Sequence, residues 1–140
     1  MRVAVVYYAH TNDRKLLELS QGLARGISAN GHDVDIINAK VQGGDKKLSF
    51  YEYLAVGTEA VTAFGGTIPE GITQYLKQSG TLSGKRCFAF VLKKSLRPMK
   101  SLAKLMKVME AEGMYLKFSE ILMKPTDAEE IGKRLHVKRR

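Results

Sequence analysis

"VAVVYYAHTNDRKLLELSQGL", residues 3–23, changes its periodicity halfway along. Val3 to Tyr8 form an unbroken apolar run, and "RVAVVYY" (2–8) reads as a strand buried on both faces. From Leu16 onward, Leu19, Leu23 and Ile27 recur three or four residues apart, the stripe of a helix with one buried side. Between them lies "AHTNDR", a join without glycine. A strand running straight into a helix needs a parallel partner strand beyond that helix.

The remainder of the chain supplies such partners. "DVDIIN" (33–38), "YLAVGT" (53–58), "RCFAFVL" (86–92) and "YLKFSEIL" (115–122) read as strands, the second and third apolar on both faces and the others alternating as edge strands do. Helical stripes lie between them at Ile68, Ile72 and Leu76, at Leu102, Leu105, Met106 and Met109, and at Ala128, Ile131 and Leu135. Gly31, Gly80 and Gly113 stand where helices would end, and Pro69, Pro98 and Pro125 where they would begin. The predicted order is β-α-β-β-α-β-α-β-α, with "AKVQGGDKKLSFYE" as a long crossover carrying one irregular turn around 47–51. Strands alternating with helices imply a doubly wound α/β fold, a five-stranded parallel sheet covered on both faces. Residues 1–135 read as one domain, and 136–140, "HVKRR", as a basic tail.

With 140 residues and 44% apolar content, the chain suffices for one core, and no apolar run is long enough to span a bilayer. The start lacks a secretory cleavage site, and the single Cys87 sits in an apolar strand without a disulfide partner. Both point to a reducing cytoplasm, with Cys87 as inert core. Twenty-three Lys and Arg against fourteen Asp and Glu give a net charge of +9, which favours acidic partners. Several chemistries are excluded. "GTLSGKR" is too short for a nucleotide-binding glycine loop and leads into a strand. No GxGxxG follows the first strand, His10, His32 and His136 lack metal-ligand spacing, and Ser95 has no visible base.

In doubly wound sheets, ligands bind beyond the carboxyl ends of the strands, so the loops 9–14, 59–67 and 93–97 carry the function. Here the chain resembles the flavodoxin family. The features are "VVYYAHTNDRKLLELSQGLARGI" and "YLAVGTEAVTAFGGTIPEGITQYLKQSGTLSGKRCFAF", the latter containing Gly57-Thr58, a Gly/Pro loop, a helix and a "LxGKxxAxF" run from Leu82 to Phe90. The resemblance implies the strand order 2-1-3-4-5, FMN as cofactor, and electron transfer to a redox protein. It puts the FMN phosphate at His10, Thr11, Asn12, Asp13 and Arg14, and the flavin ring among Thr58, Glu59, Ala60, Phe64, Lys93, Lys94 and Ser95.

The first loop departs from the family's pattern. The family reads roughly Thr/Ser-x-Thr-Gly-x-Thr. Here Ala9 replaces the first hydroxyl, the glycine is missing, and Asp13 stands at the last hydroxyl. A carboxylate is a good helix cap without any ligand, and it repels phosphate. The second departure is charge: residues 85–107 hold eight Lys and Arg and no acid, with Lys100, Lys104 and Lys107 on one helix face. Two functions therefore stand open. One is an FMN electron carrier; the other keeps the fold without FMN, as a basic interaction module for an acidic partner. Nucleic acid is not favoured, because no aromatic residues interleave the basic run.

Overall fold

β1 (Arg2–Tyr8) lies inside a five-stranded sheet, with β2 (Asp33–Asn38) on one side and β3 (Tyr53–Thr58), β4 (Arg86–Leu92) and β5 (Tyr115–Leu122) on the other. This computed structural model describes residues 1–42, 47–64, 66–135 and 137. Every pairing is parallel, and the order 2-1-3-4-5 is the one expected. All five strands keep the bounds read from the sequence.

The sheet is covered on both faces because alternate residues of each central strand point to opposite sides. Val3, Val5 and Tyr7 join Tyr53, Ala55, Phe88 and Phe90 under α1 (Asp13–Ser28) and α5 (Pro125–Arg134). Ala4 and Val6 join Leu54, Val56, Cys87 and Ala89 under α3 (Glu70–Lys77) and α4 (Pro98–Ala111). Leu16, Leu19, Leu23 and Ile27 are fully buried, and side chains of this size contribute roughly 1.5–3 kcal/mol each. Cys87 lies in the core as expected, its thiol pushed up to about 12 by burial and by Glu110.

Start and stop signals are where the sequence put them. Pro98 and Pro125 are the first residues of α4 and α5, and Pro69 directly precedes α3. Gly31, Gly80 and Gly113 all have φ between 80° and 90°. The crossover contains a short helix, α2 (Ala39–Gln42), that the sequence reading missed, and a 3-10 turn (Leu48–Phe50) where an irregular turn was expected. Residues 43–46 of that crossover lie outside the described residues, as does the predicted tail 136–140 apart from Val137.

Two features position the functional edge. Tyr8 pairs with Thr58 and Thr58 with Val91, so the three central strands end level and their loops start side by side. α1, whose first turn forms that edge, is held from behind by α5. Gly22, Gly26 and Gly132 let the two helix backbones approach closely, and Arg25 Nε donates to Glu129 Oε1 at 3.0 Å.

Candidate functional site

Glu59, the first residue after β3, is fully buried although it is an acid at the end of a strand. Its carboxylate turns toward the loop between β1 and α1. Oε2 accepts three consecutive backbone N–H groups, from His10 at 2.7 Å, Thr11 at 3.0 Å and Asn12 at 2.9 Å. Oε1 accepts the Asn12 side-chain amide at 2.8 Å and lies 2.9 Å from Lys94 Nζ. A run of backbone N–H groups converging on one point is an anion-binding concavity. Here the anion is part of the chain.

Burial works against the charge on Glu59. Hydrogen bonds from the Asn12 side chain, Lys94 and the backbone of Asn12 and His10 outweigh it and hold the carboxyl at about 2. Lys94, whose side chain is 26% exposed, also reaches Thr11 Oγ1 at 3.4 Å. The backbone and Asn12 side chain of one loop and the Lys94 side chain of a second thus meet on the carboxylate supplied by the third.

The other site residues divide sharply. Asp13, which the sequence suggested as the helix cap, caps nothing: Asn12 is the N-cap, and Asp13 Oδ1 accepts from Asn38 Nδ2 at 3.3 Å. Arg14 is exposed and pairs with Glu18 at 3.6 Å, one helical turn on. The Thr58 hydroxyl donates to the Tyr8 carbonyl at 2.6 Å, and Ala60 is buried. His10 contributes its amide while its side chain is outside this network among the described residues. Lys93 is exposed, its amide bonded to the Leu122 carbonyl at 2.8 Å. Ser95 Oγ is buried without a hydrogen-bond partner among the described residues.

Phe64, expected as a stacking group, is 71% exposed. It belongs to a surface the sequence did not reveal. The Leu96 amide donates to the Ala63 carbonyl at 2.8 Å, and the Gly66 amide to Ser101 Oγ at 3.0 Å, fastening the loop after β3 to the start of α4. Leu96 is 75% exposed and Met99 66% exposed in the segments so joined. Lys93, Arg97, Lys100 and Lys104 are exposed in the same stretch, and residues 93–107 contain no acid. Large apolar side chains set among cations form a recognisable contact surface. Leu96 and Met99 could have been found as apolar residues standing in an acid-free run of cations.

The residues present do not fit the phosphate group of FMN. The amides that would hold it are already bonded to Glu59, and Lys94, the nearest cation, neutralises that carboxylate. A phosphate entering here would have to displace a buried, fully bonded charge.

A scan against family models finds no match, and neither does a comparison with curated proteins. Solved structures do match. The chain is similar to a flavodoxin from the domain Archaea, with a TM-score of 0.70 and 17% identity over 98% of this chain and 94% of that one. It is likewise similar to flavodoxin 1 from Bacillus cereus (TM-score 0.70, 14% identity, 94% and 92% covered). A flavodoxin from Streptococcus pneumoniae TIGR4 gives a TM-score of 0.69 at 15% identity, with 94% and 95% covered. The fold of this chain is flavodoxin-like.

Proposed function

We propose that this chain is an interaction module on the flavodoxin-like fold, docking an acidic protein partner at the loop edge beyond β3 and β4 without FMN. The observation that carries this reading is Glu59 seated on the three amides where a cofactor phosphate would bind. With those donors taken, what the edge offers a partner is its outer surface: Phe64, Leu96 and Met99 framed by Lys93, Arg97, Lys100 and Lys104. Cations of one sign speed encounter with an acidic surface and set its orientation, while the apolar side chains supply contact area. The Glu59–Lys94 pair contributes by fixing two of the loops that shape this edge. A cytoplasmic location belongs to the same proposal, since a lone buried thiol suits a reducing compartment.

Two measurements test it. The freshly purified protein is expected to be colourless, and micromolar FMN is expected to show no fluorescence quenching on titration. Bound flavin would overturn this reading in favour of the electron carrier. In the second, a poly-glutamate peptide is the probe, and binding is expected to weaken strongly as salt is raised from roughly 0.05 to 0.5 M. The double charge reversal Lys93→Glu with Lys100→Glu is expected to cost about tenfold or more in affinity, as two exposed attractions become repulsions. Binding that ignores both salt and reversal would sink the acidic-partner assignment. So would a random DNA duplex that binds as tightly as the peptide.

A further inference from the structure

We infer that Glu59 is a resident substitute for phosphate, and that it alone decides whether the loop before α1 admits an external anion. This rests on the geometry of residues 10–12, 59 and 94, the same seating of Glu59 that supports the FMN-free reading above, and not on the docking surface, so anion exclusion and acidic-partner docking can fail separately.

Each of the five donors around the carboxylate is one that a phosphate monoester also accepts. Three are consecutive backbone amides ahead of a sixteen-residue helix, one is the Asn12 carboxamide and one is the Lys94 ammonium. The helix dipole adds partial positive charge at the same end. Glu59 keeps outside anions away because it is tethered: an intramolecular group acts at an effective concentration of roughly millimolar or above. It is also fully desolvated, so its removal leaves buried donors unpaired, each at a cost of about 1–3 kcal/mol. An incoming anion recovers that cost.

Nothing else in the loop opposes an anion strongly. The Asp13 carboxylate is turned to Asn38, and the Thr11 hydroxyl lies beside Lys94. Truncating Glu59 at its β-carbon vacates the volume of the carboxylate and the γ-methylene, directly in front of the amides. The missing glycine in the first loop is then a lesser obstacle than the acid that follows β3.

The test compares wild type with Glu59→Ala, titrated with inorganic phosphate, FMN and riboflavin by calorimetry at matched ionic strength. Wild type is expected to bind none of the three at millimolar concentration. Glu59→Ala is expected to bind phosphate and FMN about tenfold or more tightly than wild type, and to leave riboflavin, which lacks the phosphate, unbound. Equal phosphate binding by the two folded proteins would overturn the inference. Riboflavin binding as well as FMN would overturn it too, since the ring and not the phosphate would then be held. Should Glu59→Ala not fold in chloride, Glu59→Thr is refolded in chloride and in phosphate. Recovery specific to phosphate supports the inference, and equal recovery sinks it. In wild type, the amide resonances of His10, Thr11 and Asn12 are expected to stay fixed as phosphate is added; movement at millimolar phosphate would show that Glu59 does not exclude it.

Discussion

On acidification from about pH 6 to about pH 2, the protein is expected to lose on the order of 3 kcal/mol of stability through Glu59 alone. Its carboxyl is held at about 2 in the folded chain against an ordinary value of 4.5. A folded value below the unfolded one means that the unfolded chain binds the proton first. The stabilisation is therefore complete above the unfolded value and drains away as pH falls through the interval down to about 2. The measurement is urea unfolding at a series of pH values for wild type and Glu59→Gln. Glutamine keeps the shape but points an N–H₂ group at donors, so the gap between the two proteins should be about 3 kcal/mol at neutral pH. Near pH 2 it should shrink to under about 1 kcal/mol. Glu129 is also lowered, by its bond to Arg25, but it is present in both proteins and cancels in the difference. A gap independent of pH would mean that the loop amides are not bonded to a carboxylate. Raising salt should change the gap little, because the pair is mostly out of water.

Architecture was legible because several local signals agreed. Val3 to Tyr8 could only be a strand buried on both faces, and the Leu16–Leu19–Leu23–Ile27 stripe could only be a half-buried helix. Between them they imposed a crossover, and prolines and glycines then marked the boundaries that the structure has. What the sequence could not supply was the direction of one side chain. Reading the loop 9–14 by itself raised the right question, whether a carboxylate already satisfies the helix end, and directed it at the wrong acid. Asp13 is adjacent in sequence, but Asn38 occupies it. Glu59 is some fifty residues away in sequence and reaches the loop because Tyr8 pairs with Thr58, which places the residue after each strand at the same height. The usable signal was there: an acid immediately after a fully apolar central strand must be either solvated beyond the sheet or paired within it. Phe64 shows the same dependence on distant partners: Leu96 and Ser101, more than thirty residues away in sequence, hold its loop through the Ala63 carbonyl and the Gly66 amide, and its ring stands exposed.

The second large effect is expected at Gly26, on the far side of α1 from the loop. Helix propensity alone says that Gly26→Ala should stabilise the protein, since alanine is better than glycine by about 1 kcal/mol inside a helix. Packing says the reverse. A methyl group on Gly26 would overlap the Glu129 carbonyl oxygen and stand 2.9 Å from the Gly132 α-carbon and 2.8 Å from the Lys133 nitrogen. Those neighbours are backbone and have no rotamer to change, so α1 and α5 would have to move apart. Forced overpacking costs about 1–3 kcal/mol and occasionally more, and separation would also weaken burial of Leu23 and Ile27 beneath them. The net expectation is destabilisation by about 2 kcal/mol, read as a lower urea midpoint. Gly31→Ala separates the two possible causes: nothing lies within 4 Å of a methyl group there, and the cost comes only from its φ of +88°. That substitution should lose roughly 1–2 kcal/mol without disturbing the helix pair. Because the amides that hold Glu59 lead directly into α1, only the Gly26 variant should also shift the His10, Thr11 and Asn12 resonances. A neutral or stabilised Gly26→Ala protein would show that the two helices do not meet at their glycines, and the rigid backing of the loop would go with that contact.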